Sequence, residues 1–236
     1  KYMSKKIIFI LIFTLSFSGF TQKNNTKILN LQNFDKQKIH FGYFLGTNQY
    51  NFKLEYKENP KYTTQFIEGI GLNIGLVGDL KINKNLNLRF EPGLHTNKGS
   101  MKYNERSNFN KESDTLRTIK STHIHLPFLL KFSSKRIDNY RPYLLGGLST
   151  SFNLSSNQNS PEDNKNDVFR LKSFNFYYEL GFGIDLYFQY FKFSPSIRGL
   201  FSLKNELVPD DDSNSPWTGH IKKLSTRGIF INLTFH

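Results

Sequence analysis

Between residues 174 and 188 the chain alternates without a slip. Phe174, Phe176, Tyr178, Leu180, Phe182, Ile184, Leu186 and Phe188 fall on one side of an extended strand, and Asn175, Tyr177, Glu179, Gly181, Gly183 and Asp185 on the other, because successive side chains of a strand point to opposite faces. Residues 225–236 repeat the pattern, with Ile229, Ile231, Leu233 and Phe235 on one face and Asn232 and Thr234 on the other. A strand of this kind separates an apolar medium from a polar one. Lipid outside and a hydrogen-bonded lumen inside would satisfy it, and so would the wall of a soluble sandwich.

The N-terminal residues bear on the compartment. Lys1, Lys5 and Lys6 precede an apolar stretch that starts at Ile7 and continues to Phe20, about 14 residues, which suits the core of a secretory signal and is short for a spanning helix. We expect a signal peptide over 1–21, with Met3 as the start and cleavage near Thr21-Gln22, although no A-x-A pattern marks the bond. The chain has no cysteine, so no lipoprotein anchor and no disulfide framework is expected, and a secreted fold must rest on its own packing or on a bilayer.

Composition narrows the class. Lys+Arg 32 against Asp+Glu 19 gives a net charge of +13, and loss of the three leader lysines lowers it to +10. The basic residues are scattered, without a helix-turn-helix, zinc-ligand or RNA-binding signature, so nucleic acid is not an expected partner. Anionic headgroups or lipopolysaccharide are. Phe 24 and Tyr 12 are high counts for a mean hydropathy of −0.50; alternation of lipid-facing aromatics with polar lumen residues hides such content in the average.

A periplasmic segment over 22–37, polar and expected to be mobile, leads into a barrel over 38–236. Alternating runs fall at 39–50, 70–82, 86–94, 124–132, 140–154, 174–188, 191–203 and 225–236. Polar loops are expected at 51–66, 97–120, 153–172 and 206–215, and short turns at 83–85, 133–139 and 189–190. The pattern predicts an all-β, antiparallel transmembrane β-barrel of about eight strands in the cell outer membrane, with short periplasmic turns and long extracellular loops. No run of 18 apolar residues argues for a helical span.

With the bulky set facing lipid, the charges face inward: Asp79, Lys81, Arg89, Glu91, His95, His123, His125, Lys131, Glu179, Asp185, Lys192 and Arg198. A turn near Lys84 places Asp79 opposite Arg89, and a turn near Gln189-Tyr190 brings Glu179 within diagonal reach of Arg198. Ion pairs that fill and rigidify a narrow lumen are the expected role, since about eight strands leave room only for side chains or one small ligand. Glu91 and Glu179 would make a general acid/base pair only if they escaped Arg89 and Arg198. No G-x-S-x-G or triad appears, so an enzyme is not expected. His123 and His125 share a face and His95 lies beside them if the third and fourth strands pair, a spacing that chelating histidines use, but no cysteine or dedicated acid accompanies them. Gly69, Gly71, Gly75 and Gly78 do not satisfy G-x-G-x-x-G and suit strand positions where a barrel bends or an aromatic covers the backbone. Catalytic, cofactor and metal residues are therefore expected to be none.

Leu126-Pro-Phe-Leu-Leu-Lys-Phe132 and Ser134-Lys-Arg-Ile-Asp-Asn-Tyr-Arg-Pro-Tyr-Leu-Leu-Gly-Gly-Leu148, with Tyr177-Tyr-Glu-Leu-Gly-Phe-Gly-Ile-Asp185 and Tyr190-Phe-Lys-Phe-Ser-Pro195, resemble the PorT family of outer-membrane proteins. The turn Lys135-Arg-Ile-Asp-Asn-Tyr-Arg141 is the more specific part. The resemblance implies an accessory or assembly role in type IX secretion and gliding motility of Bacteroidota, with other secretion components as partners. It carries no catalytic residue. A stand-alone porin or ligand-binding barrel is the alternative, and a soluble lipocalin-like binder would need the bulky set inside. Lys135 and Arg136 side by side have no turn-forming purpose and stand as a candidate docking pair.

Overall fold

A computed structural model describes residues 28–58, 63–104, 115–158 and 169–236. The signal peptide expected at 1–21 lies outside the described residues. Ten strands form one antiparallel sheet: β1 Ile39–Tyr56, β2 Thr64–Ile67, β3 Ile70–Lys81, β4 Leu86–Phe90, β5 Gly93–Tyr103, β6 Leu116–Ser133, β7 Tyr140–Asn153, β8 Phe174–Tyr187, β9 Lys192–Ser202 and β10 Ile221–Phe235. β2 with β3 and β4 with β5 are two wall strands, each interrupted once. At the second break Pro92 has no N–H to give the ladder, and its carbonyl accepts from Leu76 N instead. The wall therefore counts eight positions. β1 closes it by pairing with β10 from Tyr43↔Phe235 to Tyr56↔Ile221 on one edge and with β3 from Ile39↔Leu80 to Gln49↔Ile70 on the other.

Short connections at 82–85, 134–139 and 188–191 gather at one end with the N-terminal segment. The tightest rests on Asn83, whose Oδ1 accepts from the backbone of Asn85 and Leu86 at 2.9 and 2.8 Å, the side-chain-to-backbone closure that favours Asn in turns. The described parts of the longer connections, at 57–58, 63, 104, 115, 154–158, 169–173 and 203–220, lie at the other end.

The bulky face looks outward. Phe41, Leu76, Leu148, Phe182 and Ile229 are each more than half exposed, which only a hydrocarbon surround makes favourable for a girdle of this size. The opposite face fills the interior with the polar set. A lipocalin-like arrangement, with the bulky set inside, is thereby excluded.

Strands run further than their apolar alternation. β1 continues to Tyr56, β5 to Tyr103, and β6 begins at Leu116, through stretches expected to be loop. There the faces invert: Phe52, Leu54, Tyr56, Met101, Tyr103 and Ile119 turn inward, while Lys53, Glu55, Lys102 and Lys120 are exposed. Once the wall rises past the hydrocarbon its outer face meets water, so apolar side chains gain only by pointing in.

The described part of the segment before the barrel packs against the barrel end. Phe34–Lys36 form a short 3₁₀ turn under the barrel mouth. The Phe34 ring stacks on His40 at 4.1 Å, Tyr187 Oη donates to Asp35 at 2.8 Å, and Asn30 donates to Asn139 and to the Tyr187 carbonyl. The segment closes the periplasmic end.

Candidate functional site

The lumen holds the chemistry, in three tiers. Lowest is a chain of buried charges contributed by β3, β4, the break between β4 and β5, β6, β8 and β9. Arg89 donates to Asp79 through Nε and Nη2 at 3.1 and 2.7 Å, across the register pair Asp79↔Arg89, and through Nη1 to Glu91 at 3.2 Å. Arg198 Nη1 lies 2.9 Å from Glu91 and 3.3 Å from Glu179, the diagonal reach expected from the turn at 188–191. His125 Nε2 meets Glu179 at 2.7 Å. Beside this chain, Lys131 donates to both oxygens of Asp185 at 2.8 and 2.7 Å, and Ser194 adds 2.6 Å.

Cations and carboxylates alternate along this chain, and its members are almost wholly excluded from solvent. Breaking one link leaves an uncompensated charge and costs about 3–5 kcal/mol. Glu91 and Glu179 share one guanidinium, so neither is a free carboxylate poised for acid/base work. Lys81 departs from the expected lumen set: it is half-buried at the mouth, and its ammonium donates to the Asp35 carbonyl at 2.5 Å. The room left beneath the network, between Asp35, His40, Lys131, Asp185 and Lys192, is about 20 Å³, enough for one water.

The middle tier is aromatic and amide. His95 and His123 are cross-strand partners, and the His95 and His125 rings tilt against each other at 4.7 Å. Phe230 presses its edge on both rings, at 5.1 and 5.8 Å. Sequence brought these histidines together correctly, yet their nitrogens do not converge: His125 is bound to Glu179, and His123 Nδ1 to Ser151 at 3.2 Å. Among the described residues no group of three or more His, Cys, Asp or Glu is placed to hold a metal ion. An amide relay joins Asn48 Nδ2 to Asn73 at 2.5 Å and Asn73 Nδ2 to Asn232 at 3.1 Å, closing the seam of β3, β1 and β10. The sequence reading missed it by following charges alone, although all three residues lie on the polar face.

The top tier is apolar. Met101, Tyr103, Ile119, Phe169, Leu171, Leu207, Ile221 and Leu224 form one cluster, with Trp217 against it, and 203–220 folds over the opening. Leu171 bridges Leu207, Arg170 donates to the Pro209 carbonyl at 2.9 Å and pairs with Asp210 at 3.3 Å, and Arg117 stacks on Trp217 at 4.9 Å. Two titratable groups of this cap are displaced from their ordinary ranges. Burial, helped by Lys57, lowers His220 to about 4; its ring stacks on Tyr56 and meets Thr64 Oγ1 at 2.8 Å. Burial raises Glu206, which accepts from Thr226 Oγ1 at 2.7 Å.

Gly183 illustrates how full the interior is. A Cβ there would lie 2.5 Å from the Tyr143 ring and from the Pro195 carbonyl. Gly75 is covered in the same way by Phe44, as expected for glycines under an aromatic.

At the turn 134–139 the two residues expected as a docking pair differ in their contacts. Arg136 Nε donates to the Asp138 carbonyl at 2.8 Å, and Nη2 to the Asn30 carbonyl at 2.5 Å and to Asn139 at 2.9 Å. These bonds give Arg136 a structural role in the turn, which the expectation for the pair did not include. Lys135 is exposed and makes no such bond among the described residues.

An eight-position antiparallel wall with an apolar girdle, a packed polar lumen and long connections at one end defines a small outer-membrane β-barrel. The chain belongs to the family described as outer membrane protein beta-barrel domain, whose model matches residues 20–208, and it is an outer-membrane protein. Among solved structures it is similar to OprG of Pseudomonas aeruginosa, with 10% identity, TM-score 0.46, and coverage of 84% of this chain and 92% of that one. It is similar also to the N-terminal β-barrel domain of Pseudomonas aeruginosa OprF, with 12% identity, TM-score 0.35, and coverage of 84% and 100%. A third is Ail, the attachment invasion locus protein of Yersinia pestis, with 10% identity, TM-score 0.38, and coverage of 84% and 99%. No curated protein matches the sequence.

Proposed function

We propose that this barrel is an accessory or assembly component of type IX secretion, acting through its surfaces and not as the conduit. The observation that carries this reading is where the PorT-like stretches fall. Residues 126–132, 134–148, 177–185 and 190–195 belong to β6, β7, β8, β9 and the turns at 134–139 and 188–191, which pair in sequence as one continuous half of the wall. The packed lumen supports an accessory role over transport through this barrel, and it weighs against a stand-alone porin. Other secretion components are the proposed partners, met at the long connections and at the turn around Lys135. Deleting the gene and assaying release of secreted cargo tests the reading: cargo should be retained in the cell and released again on complementation. Normal release from the deletion strain would remove the assignment.

A further inference from the structure

Above the girdle, the wall at β5 and β6 carries a basic ledge. Lys98 and Lys120 are direct cross-strand partners, and both side chains are exposed on the outer face. Like charges directly opposite each other on one face of a sheet repel, with Cβ atoms only about 5 Å apart. No ion pair or hydrogen bond to either ammonium occurs among the described residues, and Lys102 adds a third cation further up the same face. Among the described residues the nearby acid of this rim, Glu68, is turned to β1, where Gln49 and Asn51 donate to it. The β1 and β10 side of the rim differs: there Lys53 pairs with Glu55 at 3.6 Å, and Glu55 stands opposite Lys223.

The height of the ledge identifies what would neutralise it. On these two strands the last lipid-facing pair is Leu94↔Ile124, followed by Thr96↔Thr122 and then Lys98↔Lys120. Four residues of tilted strand raise the lysines about 10 Å above that pair, and their long stems reach back toward the headgroups. Ser100↔Thr118 lies just beyond them, so hydroxyls flank the cations on both sides. We propose that Lys98 and Lys120 form a docking site for the phosphate of an outer-leaflet glycolipid of the lipid A type, the phosphate seated between the two ammonium groups with Thr122 and Thr118 as hydroxyl donors. The site deepens the general affinity of a basic barrel for anionic lipid and does not depend on a role in secretion.

The test uses the full-length barrel in nanodiscs, with phosphorylated lipid A as the probe and heat-modifiable migration as the control for folding. The K98S/K120S double variant should fold and lose about 30-fold in lipid A affinity, taking each lysine's contribution at an anionic surface together. The K98E variant, which turns a repelling cross-strand pair into an attracting one, should unfold at higher temperature in lipid-A-free discs and also lose lipid A. Millimolar inorganic phosphate should not displace the lipid. Wild-type affinity in the double variant, equal binding of dephosphorylated lipid A, or displacement by inorganic phosphate would overturn the proposal.

Discussion

The Arg136 guanidinium lies 3.7 Å from the centre of the Tyr187 ring, so the turn between β6 and β7 is clamped to the end of β8 and, through Asn30, to the segment that closes the barrel. A stacked, largely desolvated guanidinium contributes about 2 kcal/mol. Arg136→Ser should therefore lower the urea midpoint of the folded barrel. Lys135→Ser should leave that midpoint unchanged and reduce cargo export. Equal export from wild type and Lys135→Ser strains would take this turn out of the partner surface.

A cation at the outward Phe182, 59% exposed to lipid, should block assembly, since a charge at the bilayer midplane costs about 2–4 kcal/mol. Gly183→Ala should be harmful as well, because its methyl meets Tyr143 and the Pro195 carbonyl. The yield of heat-modifiable protein measures both. Full tolerance of Phe182→Arg would reverse the assignment of the faces.

The outer cap should respond to acid. His220 titrates at about 4 in the folded protein against about 6.5 in an unfolded chain. Between those values the unfolded cap binds the extra proton, so the stability contributed by neutral His220 is present above about pH 6.5 and is lost as the pH falls toward 4. Glu206 has the opposite sign. Its raised value favours the folded cap on the acid side, and that contribution fades as the pH rises through its folded titration. The chain has one tryptophan, Trp217, packed in the cap, and its emission should shift toward the red between pH 6.5 and 4. His220→Gln should flatten the change; an unaltered acid shift in that variant would assign the transition elsewhere.

Much of the architecture could be read from residue alternation. The eight wall positions, the pairing of Asp79 with Arg89, the diagonal from Glu179 to Arg198 and the meeting of His95 with His123 follow from period 2 and turn position alone. Strand ends were less legible, because the pattern that marks a lipid-facing strand inverts where β1, β5 and β6 leave the membrane, and Phe52 or Met101 then look like loop residues. The role of Arg136 was not legible, since its partners Asn30 and Tyr187 are distant in sequence and joined only by barrel closure. The tightness at Gly183 is hidden for the same reason: the Tyr143 ring that fills the space comes from a neighbouring strand.

If the protein works through its wall and its ends, its lumen must not conduct. The ionic tier around Arg198 and Asp185, the apolar tier around Met101 and the closure at Phe34 each block the axis. Reconstitution of the purified, heat-modifiable barrel in planar bilayers measures this directly. The membrane should stay silent, without stable conductance steps. Large, reproducible steps from folded protein would contradict the sealed lumen and return the porin reading.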